Sequence, residues 1–264
     1  MAGLEDKVVI ITGASSGIGA TTAEYFAKTG AKLVICGRIA ENLEKTAERC
    51  REAGLPDSKI VQMLGDLTEE DTCKRIVEDA VKHYGRLDVL VNIAGTIRTM
   101  CFWNSTPEMM QKHFEWNIMI TYHMCKYAMP NLHQTKGNII NIGGLVATRP
   151  YNTLFPNSVT KCGVQQMTKC LALEGGPKGV RANCVDPGAT LDTALWARSG
   201  IAPTHEKWLA HKNKSEPLYP LLRNAYTPEV AKCIVFLASD DARFVTGYCM
   251  PIDGGMGLVS QHIV

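Results

Sequence analysis

Residues 8 to 19 read VVIITGASSGIG, a short apolar run, then a loop with glycines at 13, 17 and 19, then a helical pattern. Strand, glycine turn and helix in that order constrain the rest of the chain, because together they build a phosphate cradle. The glycines permit a tight turn, close backbone approach to a pyrophosphate and close packing of helix on strand, while the new helix aims unpaired N–H groups and its positive dipole end at the anion. Thr12, Ser15 and Ser16 add hydroxyl donors. The spacing is T-G-x-x-x-G-x-G rather than G-x-G-x-x-G, and a glycine triplet alone marks only a turn. Its meaning depends on the pattern of residues downstream.

Beyond Gly19 the chain alternates regularly. Helical patterns over 18–29, 41–53 and 69–84 are each stopped by a glycine, at 30, 54 and 85, and are separated by apolar runs at 32–36 and 59–64. Glycine just past the last turn is the expected stop. In the third pattern Cys73, Ile76, Val77, Ala80, Val81 and Tyr84 recur at helical spacing on one buried face, with Glu70, Lys74, Glu78 and Lys82 on others. The run LDVLVN at 87–92 is nearly all apolar, as a parallel strand covered on both sides requires. Beyond it the sequence predicts a helix over 106–133 broken near its start, a strand over 137–142, a helix over 157–173 and a strand over 180–185. An irregular segment over 187–226, a helix over 228–238 opened by Thr227-Pro228-Glu229, and a last strand over 248–252 complete the chain. Seven strands alternating with helices predict one α/β domain over 1–264, a doubly wound, Rossmann-type parallel sheet with helices on both faces. Its ligand is expected at the carboxyl ends of the strands, where the loops starting at 12, 37, 65, 92, 142 and 186 line one crevice.

Composition narrows the function classes. A net charge of +2 comes from bases dispersed among acids, which argues against nucleic acid and against a membrane surface, and leaves a small-molecule partner. The ten cysteines fall mostly in apolar periodic segments, with no C-x-x-C and no Cys/His pairing at ligand spacing, so they read as buried thiols and no metal site is expected. The N-terminal MAGLEDKVVIITG shows no cleavage signal, and no apolar stretch approaches the roughly 18 residues that spanning needs. A cytoplasmic, reducing location is the expectation.

The chain resembles the short-chain dehydrogenase/reductase family over essentially its whole length, in the branch that includes 3-oxoacyl-carrier-protein reductases and many carbonyl reductases. The residues that carry the resemblance are TGASSGIG at 12–19, GDLT at 65–68, NIAG at 92–95, Asn117, IINI at 139–142, Lys161, DPG at 186–188, FLASDDARFVTG at 236–247 and IDGG at 252–255. It implies a nicotinamide cofactor held by Thr12, Gly13, Ser15, Ser16, Gly17, Ile18 and Gly19, by Asp66 and Leu67 at the adenine, and by Asn92, Ala94 and Gly95 along the adenosine ribose. Lys161, Pro187, Gly188 and Thr190 complete the implied contacts. The 92–95 and 65–68 stretches taken singly also fit ordinary turn chemistry.

An NAD-preferring site of this kind places an acid at the end of the second strand, but residues 32–40 read KLVICGRIA and contain none. Arg38 follows Gly37 there, and a guanidinium suits a 2′-phosphate, so the pattern favours NADP(H) over NAD(H). An arginine that merely ends a strand would look the same.

The family's catalytic pattern breaks in two places. A serine after the fifth strand and a Y-x-x-x-K motif thirteen residues later are expected; counting back from Lys161 puts Asn157 at the tyrosine position and Gly144 at the serine position. Reduction of a carbonyl builds alkoxide charge that must be stabilised and protonated, and a phenol near pKa 10 beside an ammonium suits that task. A carboxamide has no proton to give. Asn117 and Lys161 remain, and the resemblance implies that the lysine also holds the nicotinamide ribose and the asparagine a water. Tyr151, between the two replaced positions, is a candidate substitute donor or a pocket wall. Two readings stay open, a cofactor-binding protein that has lost ordinary redox chemistry or turned to a non-redox step, and an NADPH-dependent carbonyl reductase with an unusual donor. Asp192 stands close to where the family usually has a cofactor-touching threonine, and its carboxylate would repel pyrophosphate unless turned away. The segment 187–226, rich in Leu, Trp and Tyr, fits either a substrate lid or core packing. Met, Cys and Tyr in 106–133 and 157–173 point to a homo-oligomer, a tetramer by resemblance.

Overall fold

In the computed structural model, which describes residues 1–193, 195–199, 202 and 204–259, seven strands form one parallel sheet. They are β1 (Val8–Thr12), β2 (Lys32–Gly37), β3 (Ile60–Leu64), β4 (Val89–Asn92), β5 (Asn138–Ile142), β6 (Arg181–Pro187) and β7 (Cys249–Ile252), in the order β3-β2-β1-β4-β5-β6-β7. The sheet is the expected one, and the strand bounds agree with the sequence-based ranges to within two residues.

Period-two alternation assigns the two faces. On β1, Val9 and Ile11 pack into a core with α1 (Gly17–Ala27), α2 (Ala40–Glu52) and α9 (Thr227–Ala238), through Phe26, Leu43, Val230 and Ile234. Val8 and Ile10 pack on the opposite side with α3 (Glu70–Tyr84), α5 (Ile120–Thr135) and α6 (Phe155–Gly175), through Ile76, Met124, Leu132 and Ala172. The central strands β1 and β4 are therefore covered on both sides and buried at every position, which is why their sequences are almost wholly apolar, whereas the edge strands β3 and β7 stay partly exposed. Strand order reverses between β1 and β4, so the loops after them diverge and leave a crevice at the carboxyl edge.

One segment is broken as the sequence predicts, and another differs from the sequence-based expectation. The stretch predicted as one broken helix is α4 (Pro107–Phe114), a π-helical turn over Glu115–Met119, and α5. The extra residue of that turn rotates Asn117 into the interior, where it is buried; such turns gather at functional sites. The segment expected to be irregular contains α7 (Leu195–Ser199) and α8 (His205–Ser215), the latter started by Thr204, whose hydroxyl accepts from Lys207 N. In the run EKWLAHKNKS only Trp208, Leu209 and Ala210 are apolar, and they are consecutive rather than spaced at three or four. Periodicity had nothing to detect there. No helix among the described residues is long and apolar enough to cross a membrane.

Candidate functional site

The crevice opens into a cavity of about 780 Å³ that runs from the first glycine loop, past the ends of β2, β3, β4 and β5, to α7 and α8. Its floor is built by positions where a side chain has no room. Gly13 has φ 69°, and a Cβ there would lie 2.9 Å from Ala94 N. A Cβ on Gly19 would overlap the Gly13 carbonyl. The loop can therefore lie flat against β4 and deliver Ser16 to the start of α1, whose first-turn N–H groups receive no side-chain cap. Two hydroxyls beside this cradle, Ser15 Oγ and Thr193 Oγ1, are buried without a partner. Unpaired buried donors next to an uncapped helix start fit an anionic group.

Thr12 plays a different part from the one its sequence position suggests. Its side chain is fully buried; the hydroxyl donates to Val91 O and accepts from Ile93 N and Ala94 N. It braces β1 to the turn after β4 and does not face the cavity. Asn92 likewise points inward, donating to Asn141 Oδ1 at 2.9 Å and to Cys125 Sγ. Ile18, Ala94, Gly95, Leu67, Pro187, Gly188 and Thr190 all line the cavity.

At the opposite side of the cradle, Arg38 is exposed on the cavity wall and makes no ion pair or hydrogen bond among the described residues. Across from it Asp66 Oδ1 accepts from Thr68 N and Thr68 Oγ1, bonds that hold its carboxyl below the usual carboxylate range, helped by the Arg38 charge. Gly37 leaves room at this corner for Ser15 Oγ, which a Cβ would displace.

Deeper in, Lys161, Asn117 and Gly95 converge: a Cβ on Gly95 would lie 2.7 Å from Asn117 Oδ1 and 3.7 Å from Lys161 Nζ. Lys161 reaches back from α6 and donates to Ile142 O at 2.7 Å, and burial holds its pKa below the ordinary lysine value against the opposing pull of Cys184 and Asp186. Asn117 Oδ1 accepts from Thr96 N at 3.0 Å, while its Nδ2 is buried without a partner.

Asn157 is buried at the first turn of α6, on the cavity wall. Its Nδ2 donates to Thr96 O at 2.9 Å and its Oδ1 accepts from Arg98 N at 3.2 Å. The carboxamide is thus spent on fixing the 96–98 backbone of the wall. Gly144 sits at the end of β5 with φ 157° and ψ 153°, a region taken almost only by glycine. Its N–H donates to Asp186 Oδ1 at 2.9 Å.

Asp186 is the centre of a polar knot under this floor. Gln165 Nε2 donates to its Oδ2 at 2.5 Å and Cys184 Sγ to its Oδ1 at 3.4 Å, while burial raises its pKa. Cys249 lies directly opposite Cys184 in the β6–β7 pairing, and the two sulfurs and the Asp186 carboxylate lie within 4.8 Å of one another. Spacing along the chain offers no hint of this trio. Its carboxylate is already engaged by an amide N–H, a carboxamide and a thiol, with the Lys161 charge nearby, so it reads as a hydrogen-bonded support.

Over the mouth, Tyr151 and Tyr219 pack with Leu145 and Met256. Burial pushes the Tyr151 phenol above its ordinary pKa, and Tyr219 Oη accepts from Ala189 N. Tyr219 belongs to the cavity lining, a role that the sequence assigns only to its segment. Asp192 has turned away from the cradle: its two oxygens accept from Thr227 N and Thr227 Oγ1, both at 2.7 Å, at the start of α9. The repulsion expected from sequence does not arise.

The model of the family described as Enoyl-(Acyl carrier protein) reductase matches residues 13–257. Among curated proteins, L-fucose dehydrogenase of Bos taurus is 35% identical over 254 residues, covering 96% of this chain and 90% of its own length. A 3-oxoacyl-[acyl-carrier-protein] reductase of Thermotoga maritima is 36% identical over 259 residues, covering 96% of this chain and 98% of its own. Among solved structures, a short-chain dehydrogenase/reductase of unknown function from Caenorhabditis elegans, crystallised with cofactor, superposes with a TM-score of 0.90 at 29% identity over 98% of this chain and 97% of its own.

Proposed function

The chain belongs to the short-chain dehydrogenase/reductase family, and from that premise we propose that it is an NADP(H)-binding protein whose ordinary redox chemistry is lost, or replaced by a non-redox reaction or by ligand binding. The observation that carries this reading is the state of Asn157, buried and bonded at both ends of its carboxamide to the 96–98 backbone. A carboxamide supplies no proton near neutral pH, and one so engaged has little left for a developing alkoxide. Gly144 brings no hydroxyl to the other family position. Losing a general acid alone typically costs about 10² to 10⁴ in rate.

Retention of the cofactor is supported by the cradle and its two unpartnered hydroxyls. Gly13 to Gly19 would hold the pyrophosphate, Asp66 and Leu67 the adenine, and Arg38 a 2′-phosphate. Ala94, Gly95, Lys161, Pro187, Gly188 and Thr190 would flank the rest. When bound, nicotinamide donates or accepts hydride. The chain's own contribution at that end is the Lys161 ammonium, fixed on Ile142 O, and the Asn117 carboxamide with an uncommitted N–H. Both can orient a bound oxygen without supplying the phenolic proton relay.

The second reading, a carbonyl reductase with a substitute donor, is favoured by the Tyr151 phenol on the cavity wall. Its raised pKa makes it a weaker acid than an ordinary tyrosine. Tyr151→Phe would abolish turnover on that reading and change nothing on the first.

We further propose a cytoplasmic homotetramer in which 187–226 acts as the lid of one domain. Exposed Phe102, Trp103, Met109, Phe114, Met119 and Tyr122 form the kind of apolar surface that assembly covers. Light scattering at micromolar concentration is expected to give a tetramer mass, and a monomer mass would count against it. The test of function is direct titration with NADPH and NADH, followed by incubation of the NADPH complex with ketones and aldehydes, expecting binding without oxidation.

A further inference from the structure

The substrate end of the cavity has a charge pattern of one sign. Arg98 and Lys214 line it, with His211 one turn before Lys214 on α8, whereas among the described lining residues the one carboxylate is Asp66, at the end of β3 near Arg38. Neither the Arg98 guanidinium nor the Lys214 ammonium has an ion pair or hydrogen bond among the described residues. This is not the habit of α8, where Lys212, two residues earlier, is ion-paired with Glu216 at 3.9 Å. His211 lies tilted against Trp196 with ring centroids 4.7 Å apart, and burial together with the Lys214 charge lowers its pKa, which disfavours a third cation here. Trp116, Leu145, Leu218 and Met256 bring apolar surface to the same lining.

Arg98 is placed with care. Hydrogen bonds from two buried asparagines fix the backbone around it: Thr96 is held by Asn117 and Asn157, and Arg98 N by Asn157. Arg98, on a rigidly held backbone, and Lys214, on α8, are thus two exposed cations, unpaired among the described residues, on the lining of one cavity, free to meet an anionic group on a ligand held there.

We infer that the ligand of this site is an organic acid, a molecule with a flat apolar body and a terminal oxyanion that Arg98 and Lys214 bind. The inference rests on the reading that the cavity holds cofactor and ligand together, and it adds the ligand's class. A carboxylate and a phosphate monoester share the required chemistry. Charge-assisted bonds at a half-open mouth favour the anion over a neutral isostere by about tenfold or more and weaken as salt rises.

Calorimetric titration with 2-naphthoate, 2-naphthyl phosphate and neutral 2-naphthamide, with NADP⁺ saturating, tests this. At least one acid should bind about tenfold more tightly than the amide, which of the two telling carboxylate from phosphate. Arg98→Gln and Lys214→Gln should each weaken the acid and leave the amide's affinity unchanged, the amide serving as the check that the pocket is intact. Equal affinity of all three compounds, acid binding indifferent to both substitutions, or no acid binding at millimolar concentration would overturn the inference. A separate NADP⁺ titration keeps the two claims apart. If NADP⁺ does not bind, the functional reading fails, and the same acid and amide titrations on the free protein still decide the ligand class.

Discussion

Asn117 and Asn157, one in a π-helical turn and the other at the first turn of α6, grip the two sides of a single residue. Asn117 Oδ1 accepts from Thr96 N at 3.0 Å, and Asn157 Nδ2 donates to Thr96 O at 2.9 Å. The wall that faces any substrate is thereby held by two side chains that a conventional reading would place among reacting groups.

Asn157→Ala should therefore behave as a stability variant. It leaves Thr96 O and Arg98 N without their partner, a loss of about 1–3 kcal/mol, readable as a lower urea midpoint with unchanged slope. Asn157→Asp should lose as much, because its carboxylate cannot donate to Thr96 O. Midpoints equal to the parent's would remove the clamp from the account.

Arg38 gives the cofactor prediction. NADPH should bind about 10- to 100-fold more tightly than NADH, the range expected of one charge-assisted contact to a 2′-phosphate. Arg38→Asp should erase or reverse the preference, since its carboxylate repels the phosphate and can accept from ribose hydroxyls. Equal affinities in the parent would rule out the assignment.

Asp192 is predicted to matter for folding alone. Its carboxylate holds Thr227 N and Oγ1, and Thr227 Oγ1 in turn lies 2.9 Å from Thr21 Oγ1, so the start of α9 is tied to α1. Asp192→Ala should cost about 1–2 kcal/mol, as lost helix caps do, with NADPH affinity unchanged. Tighter NADPH binding in the variant would mean that the carboxylate does act on the cofactor.

The sheet was legible from sequence because its signals are local. Apolar runs such as LDVLVN and helix-stopping glycines at 30, 54 and 85 depend only on neighbours in the chain. The cradle was legible for the same reason. The hidden features depend on contacts made at a distance. Asn157 meets residues 59 and 61 positions away, and nothing in the local text says that its carboxamide is already used. Thr12 is a small polar residue next to a glycine loop, and only the packing of β1 on β4 shows its hydroxyl turned inward. Asp192 was legible as a charge and illegible as a cap, because its partner is Thr227. Cys184 and Cys249 become neighbours only through the pairing of β6 with β7.

The central claim is that two absent hydroxyls, on a scaffold that still holds NADPH, separate this protein from a working reductase. The most direct measurement is the absorbance of reduced nicotinamide when the NADPH-saturated protein meets a panel of ketones and aldehydes, run in parallel on the Gly144→Ser, Asn157→Tyr double variant. The double variant carries costs, since the backbone at residue 144 must leave its present conformation and the clamp on Thr96 is lost. Single changes should recover far less, because groups that act in one transition state are strongly non-additive. The account predicts a flat trace for the parent and measurable oxidation for the double variant. Rapid oxidation by the parent, unchanged by Asn157→Ala, would contradict it.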